Sequence, residues 1–371
     1  MKTMPTSNNE ATELHRSLAS RSKELSVALT IQDLEKALQQ PRTHKDHPIA
    51  ALIRRAFTPY DTHEAQVLAN LDRALKSCHV DHTHGAILWS RKQLQFAANE
   101  VDFQNAAALL AEIRAFGALW GCGLTVTRVR TGDERKRDFD ANLRGRDPFG
   151  IEVHCKQMNA PEAKELADFL HSGPGFHTIY PAGKLKPGES TAENMASKFA
   201  SIKSRAGQAA EGMPNVLWCD LQDEDWWVLN ASYALPVVTI NGSFFSGGLW
   251  HAFYGQKGTP IFEANTTEET AEKVSYFMRH DGLFKQSQKW DLAVLSFPSE
   301  TVLFENPHPE HPLPSEEIEA LIRLPWFNFD VSRFNWPPPS KLCKPSRLDY
   351  LLKMDLLLLE SLQNKAIYQI W

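Results

Sequence analysis

Cysteine is scarce in this chain: five residues in 371, at Cys78, Cys122, Cys155, Cys219 and Cys343. No two lie within three positions of each other, so neither a disulfide framework nor a paired-cysteine zinc clamp is suggested, and the thiols read as buried and reduced. Long apolar runs are missing as well. No stretch approaches the length needed to cross a bilayer, and the segment MKTMPTSNNEATELHRS lacks the apolar core of a secretory signal. The expectation is a cytoplasmic protein without a membrane partner. Excess positive charge is also lacking: the formal net charge is −5, whereas a general nucleic-acid coat needs clustered Lys and Arg. There is no Gly-rich loop between a strand and a helix to cradle a nucleotide phosphate, and no fixed-period repeat that would build a solenoid.

What is present is the composition of a folded protein, 42% hydrophobic and 23% charged, with ten Trp and twenty Phe. A chain of this length has room for two or three folding units. Residues 1–90 read as a helical N-terminal region, with apolar spacing over 31–76 carried by Leu34, Leu38, Ile49, Leu52, Ile53 and Phe57. Residues 91–305 read as an α/β domain, and residues 306–371 as a Pro-rich connector followed by helices, the last of them a Leu-rich helix over 349–370 that docks or forms a homodimer.

Within the central unit, a helical pattern over 93–119 passes through Phe96, Phe103, Ala107, Leu110, Ile113 and Leu119 until Gly121-Cys122-Gly123 stops it. A strand over 124–130 follows, with its facing undecided. Polar and apolar residues then alternate in Asp138-Phe139-Asp140-Ala141-Asn142-Leu143 and again in Ile151-Glu152-Val153-His154-Cys155-Lys156. The link Arg144-Gly145-Arg146-Asp147-Pro148-Phe149-Gly150 is made of turn formers, so the two strands are predicted to form an antiparallel hairpin. Ser190 and Glu193 open a helix to about residue 210 with a capping-box pattern, and 215–221 reads as a buried strand. Further on, 226–240 looks strand-rich, Thr266 and Glu269 cap a helix expected to reach Arg279, 292–304 suggests a hairpin, and Ser315 opens another helix.

The chemistry concentrates on the hairpin. If the register keeps parity, Phe139, Ala141 and Leu143 share one face with Ile151, Val153 and Cys155, and Asp138, Asp140, Glu152 and His154 share the other. Carboxylates gathered across a strand pair repel, so such a face is either left in water or supplied with a cation, and a hard divalent ion suits oxygen donors. The plain alternative is an amphipathic hairpin with a solvated polar face. Cys78, His79, Asp81, His82 and His84 match no standard zinc spacing and read as a polar loop. Asp220, Asp223, Glu224 and Asp225 read as a solvated acidic turn ahead of Trp226 and Trp227.

A helix with an internal Glu, three strands carrying Asp and then Glu, a helix and a strand resembles the core of the PD-(D/E)xK nuclease superfamily, over about a third of the chain. Leu110-Ala111-Glu112-Ile113 resembles the first helix of that core, Arg137-Asp138 stands where its Pro-Asp would be, Glu152-Val153-His154 where its (E/D)xK would be, and Pro214-Asn215-Val216-Leu217 resembles the strand after the second helix. Two residues depart from the pattern: Arg137 replaces Pro and His154 replaces Lys. Lys156 follows on the same face, about 13 Å beyond Glu152 at roughly 3.3 Å per residue.

The resemblance implies a restriction-endonuclease-like mixed sheet flanked by helices. It also implies Mg²⁺ (or Mn²⁺) held by Asp138 or Asp140 with Glu152, Glu112 as a further metal ligand, and His154 or Lys156 orienting water or steadying the phosphate. Lys198, Lys203 and Arg205, with Gln208 behind them, would contact a DNA or RNA backbone. The expected activity is metal-assisted phosphodiester hydrolysis. Two other readings stay open: the same fold without catalysis, acting as a nucleic-acid-binding or assembly module, and a metal-dependent hydrolase of another fold.

Overall fold

The computed structural model describes residues 103–129, 137–155, 209–222, 231–234, 237–240, 243–258, 260–261, 276–297 and 301–322, together with Val67, Asn70, Leu71, Ala74, Leu75, Trp89, Lys92 and Gln93. The helix expected over 349–370 lies outside the described residues, as do residues 190–208 of the helix expected to reach about 210 and most of the region 31–76; Ala209 and Ala210 are described and not helical.

Helix α1 (Phe103–Gly121) owes its length to an Ala- and Leu-rich run of strong helix formers. It closes in a Schellman turn, in which the Gly123 amide donates to the Trp120 carbonyl at 2.9 Å and the Leu124 amide to the Leu119 carbonyl at 3.3 Å. Leu119 and Leu124 are both fully buried, which supplies the apolar contact that accompanies this cap. The chain is then delivered into strand β1 (Thr125–Arg128), followed by β2 (Phe139–Asn142) and β3 (Phe149–Cys155). β1 lies antiparallel on β2 and β2 antiparallel on β3, so the predicted hairpin is present. Its turn is held by the Asn142 side-chain carbonyl, which accepts from the Gly145 amide at 3.0 Å, and Arg144 takes a positive φ of 53° to make the bend.

Strand β4 (Asn215–Asp220) adds parallel to β3, β9 (Leu292–Ser296) parallel to β4, and β10 (Thr301–Glu305) antiparallel to β9, giving one mixed six-stranded sheet in the order β1-β2-β3-β4-β9-β10. Every residue of β4 and β9 is buried, as expected of parallel strands covered on both faces. Between β4 and β9 come a short 3₁₀ helix (Ala231–Ala234), the ribbon of β5 (Val237–Ile240) with β6 (Ser243–Ser246), helix α2 (Gly248–Tyr254), the ribbon of β7 (Pro260–Ile261) with β8 (Tyr276–Phe277), and helix α3 (Leu283–Gln286). The helix expected to reach Arg279 therefore does not do so. Tyr276 and Phe277 are extended and paired with Pro260 and Ile261, and the chain alternates an exposed Phe277 with a buried Met278, which is strand periodicity.

Parity divides the core in two. Phe139, Ala141, Phe149, Ile151, Val216, Trp218, Leu292, Val294 and Leu303 face α1 and helix α4 (Ser315–Ile322). Leu217, Cys219, Ala293, Leu295, Val302 and Phe304 face α2 and α3, where Trp250, Phe253 and Phe284 pack. Phe139, Phe149 and Phe253 are essentially inaccessible, and each such side chain contributes about 1.5–3 kcal/mol by leaving water. The described residues from Asn306 to Ile322 join this core: Asn306 is buried with its side-chain amide nitrogen 2.7 Å from the Trp290 carbonyl, and Leu313, Ala320 and Leu321 are part of the α1 side. Near the N-terminus, Val67, Asn70, Leu71, Ala74 and Leu75 are helical and buried at spacings of three and four. They reach α1 at Gly117, where a Cβ would come within 2.4 Å of the Ala74 carbonyl oxygen, so this helix contact requires glycine.

One polar group is sealed inside the α1 side. Asp220 closes β4 with zero exposure, and the Arg114 guanidinium from α1 grips it through Nε at 3.0 Å and Nη2 at 2.7 Å. The expectation of a solvated acidic turn is wrong at Asp220, because strand parity points it at α1, where water is excluded; Asp223, Glu224 and Asp225 lie outside the described residues. Around the pair, the Gln222 amide donates to Asp220 at 3.2 Å, the Gln222 side chain donates to Ser296 Oγ at 2.8 Å, and Asn70 donates to Gln222 at 2.9 Å. Removing one partner of such a buried pair strands the other charge. Arg114→Met or Asp220→Asn alone should each cost about 3–5 kcal/mol in urea unfolding, while Arg114→Met combined with Asp220→Leu should recover most of that loss. Single variants as stable as the parent would refute the buried pair.

Candidate metal and phosphate site

The register of the hairpin sets the geometry. Phe139 stands opposite Ile151, Asp140 opposite Gly150 and Ala141 opposite Phe149, so Asp138 falls opposite Glu152 one step beyond the ladder. Directly opposed residues project to the same side. The face turned away from α1 thus carries Asp138, Asp140, Glu152 and His154, the set the alternation predicted. Across the parallel pairing Glu152 neighbours Leu217 and His154 neighbours Cys219, both in the α2-side core. Glu152 therefore lies at the border of an apolar patch and is only 6% exposed, whereas Asp138 and Asp140 on β2 are partly exposed.

The four residues are not equivalent. Asp138 marks the point where β2 stops covering β3: its backbone amide donates to the Ile151 carbonyl at 3.0 Å, and its Oδ2 accepts from the Val153 amide at 2.9 Å. That second bond continues the ladder with a side chain in place of backbone and fixes the carboxylate beside Glu152. Asp140 is engaged differently, gripped by both Nε and Nη2 of Arg137, the latter at 3.0 Å from Oδ2. This ion pair is about a quarter exposed on each side, so solvent limits its worth to under about 1 kcal/mol. His154 is partly buried on the same face.

Glu112 is not on this face. It belongs to α1, which covers the other side of the sheet, and its Oε2 accepts from Gln93 Nε2 at 2.8 Å. Lys156, Lys198, Lys203, Arg205 and Gln208 lie outside the described residues, as do Cys78, His79, Asp81, His82 and His84. Among the described residues no group of three or more His, Cys, Asp and Glu side chains is placed to hold a metal ion. The donor set that the register does supply is two opposed carboxylates, all oxygen. Mg²⁺ is commonly held by one or two carboxylates while keeping several waters, so the pair fits that mode, whereas a complete protein cage is not formed.

Arg137 is the functional candidate that the sequence pattern overlooked. It replaces the expected Pro, but its aliphatic stem lies over Gly150 and delivers a guanidinium to the carboxylate face. The one signal that could have found it is Gly150 itself, a glycine directly across from Asp140 where a strand side chain would ordinarily stand. Two nearby arginines are placed apart: Arg128 lies at the Asp138 end of β1, 5.9 Å from the Trp89 ring centroid, whereas Arg146 at the far turn is taken up by Glu316 at 3.3 Å and Glu317 at 3.4 Å of α4.

Comparison of the chain with protein-family models, with curated proteins and with solved structures finds no match. No helix among the described residues is long and apolar enough to cross a membrane.

A Cβ at Gly150 would lie 2.7 Å from Asn215 Oδ1 and 2.9 Å from Arg137 Cδ. Gly150→Ala should therefore destabilise the protein by about 1–3 kcal/mol in chemical denaturation. Adding Arg137→Ala should return part of that loss, because it removes one of the two collisions. An unchanged stability of Gly150→Ala would refute the close approach of Arg137 to β3.

Proposed function

We propose that the chain is a metal-dependent nuclease-like protein with a restriction-endonuclease-like core, hydrolysing phosphodiester bonds of DNA or RNA at the Asp138–Glu152 end of the hairpin. The observation that carries this reading is the opposition of Asp138 and Glu152 where the β2 ladder ends, with Asp138 anchored on the Val153 amide. The order of α1, β1, β2, β3 and then β4 parallel to β3 supports it, being the order the resemblance leads one to expect.

In this reading Asp138 and Glu152 hold the divalent ion, which when bound lowers the pKa of a coordinated water and offsets charge on the phosphate. Asp138 keeps its position through the Val153 amide, and Glu152 is held by burial beside Leu217. His154, two residues on and on the same face, replaces the expected Lys as the group that orients water. A neutral imidazole accepts a proton near pH 7, whereas a Lys ammonium does not. Arg137 offers a positive charge on that face, paired with Asp140.

A second reading, the same fold serving as a nucleic-acid-binding or assembly module without catalysis, is favoured by one observation. Asp140 is committed to Arg137, which leaves two rather than three carboxylates of the predicted set on that face for a metal.

Cleavage of single- and double-stranded DNA and RNA, with Mg²⁺ or Mn²⁺ and with chelator, separates the two. The parent protein should cut only with metal, and Glu152→Gln and Asp138→Asn should each lose at least about a hundredfold in rate, or about 2.7 kcal/mol of transition-state stabilisation. Thermal unfolding of each variant establishes that it folds. Equal cleavage by parent and Glu152→Gln would sink the site assignment. Metal-independent binding without cleavage would favour the module.

A further inference from the structure

Asp291 precedes β9 and is 2% exposed, yet it joins four segments. Its backbone amide donates to the Asn215 carbonyl at 2.8 Å, and its carbonyl accepts from the Asn306 amide at 2.8 Å. Its Oδ2 accepts from the Asn215 amide at 2.6 Å, and its carboxyl also accepts from the backbone amide of Leu313. The first residue of β4, the residue after β10 and the last stretch of the connector before α4 thus converge on one residue, the first and third of them on its carboxyl. Its Oδ1 is buried and takes no hydrogen bond from any described residue.

The surroundings are wrong for a permanent negative charge. β4 contributes only the neutral Asn215. β10 contributes Glu305 and the connector Glu310, both adding negative charge, and the connector also carries His308 and His311, with His311 3.8 Å from Glu310. Burial first, and these two carboxylates after it, push the Asp291 carboxyl up to about 7, against the opposing pull of the Asn215 and Leu313 amides.

We propose that Asp291 is a proton-dependent clasp that holds the connector 306–314 and α4 against the sheet when its carboxyl is protonated and loosens them when it ionises. The consequence reaches the hairpin, because α4 presents Glu316 and Glu317 to Arg146 in the β2–β3 turn. This device is independent of the activity proposed above.

The sign follows from linkage. An Asp released into water ionises near its ordinary value, while the clasped carboxyl retains its proton to about pH 7. The stabilisation is complete below the ordinary value, declines as pH rises, and is gone above the clasped value. Opening of the segment therefore releases one proton, and its equilibrium rises by about tenfold per pH unit up to pH 7 and then levels off.

Hydrogen exchange on the full chain between pH 5.5 and 8.5, corrected for intrinsic exchange rates, measures this directly. The amides of Leu313 and α4 should lose protection along that curve in the parent protein and show a flat profile in Asp291→Asn. His308→Gln combined with His311→Gln should leave the parent profile intact. Glu305→Gln, which removes one of the opposing charges, should move the levelling-off to lower pH and serves if Asp291→Asn does not fold. A flat parent profile, an unaltered profile in Asp291→Asn, or loss of the pH dependence in the double His variant would overturn the proposal.

Discussion

The pairing of Phe139 with Ile151 and of Ala141 with Phe149 is the constraint on which the rest of the site depends. All four side chains are buried against α1, and a slip of one residue would turn them to the other face while sending Asp140 and Glu152 into the core. Burial of large apolar groups therefore fixes a register that burial itself has no interest in functionally. The opposition of Asp138 and Glu152 is a by-product of that register. So is the position of Gly150 across from Asp140, which opens the space Arg137 crosses to reach its partner.

β3 is the hinge between two kinds of surroundings. Toward β2 its second face is polar, with Asp140 and Gly150 in register; toward β4 the same face is continuous with Leu217 and Cys219 and with the aromatic cluster on α2 and α3. Glu152 sits on the line between them, which explains why a carboxylate in an alternating, half-polar strand is nevertheless nearly inaccessible. A carboxylate at such a border carries a desolvation cost that the groups around it must offset.

Buried charge is handled in two contrasting ways at opposite ends of the parallel strands. At the C-terminal end of β4, Asp220 meets a bidentate Arg114 and the backbone amide of Gln222, so its charge is paired. At the N-terminal end, beside the first residue of β4, Asp291 meets backbone amides and two further acids, so ionisation is opposed. The first arrangement locks α1 to the sheet. The second makes the attachment of the connector sensitive to protons.

Sequence alone determined the alternation of the hairpin strands, its turn, the helix ended by Gly121-Cys122-Gly123, the buried strand over 215–221 and the hairpin over 292–304, because each rests on a local period or a local cap. It also determined which residues alternate along each strand, whereas the sharing of one face by all four rests on the register that burial against α1 fixes. Only the tertiary structure decided what those residues meet. That Asp220 faces Arg114, that Glu112 lies across the sheet from Glu152, that Asp140 is held by Arg137, and that Asp291 gathers four segments depend on which elements pack together across 106, 40 and 76 residues of chain for the distant pairs Arg114–Asp220, Glu112–Glu152 and Asn215–Asp291. A carboxylate's chemistry is set by the groups within a few ångströms of it, and at that range sequence separation carries no information.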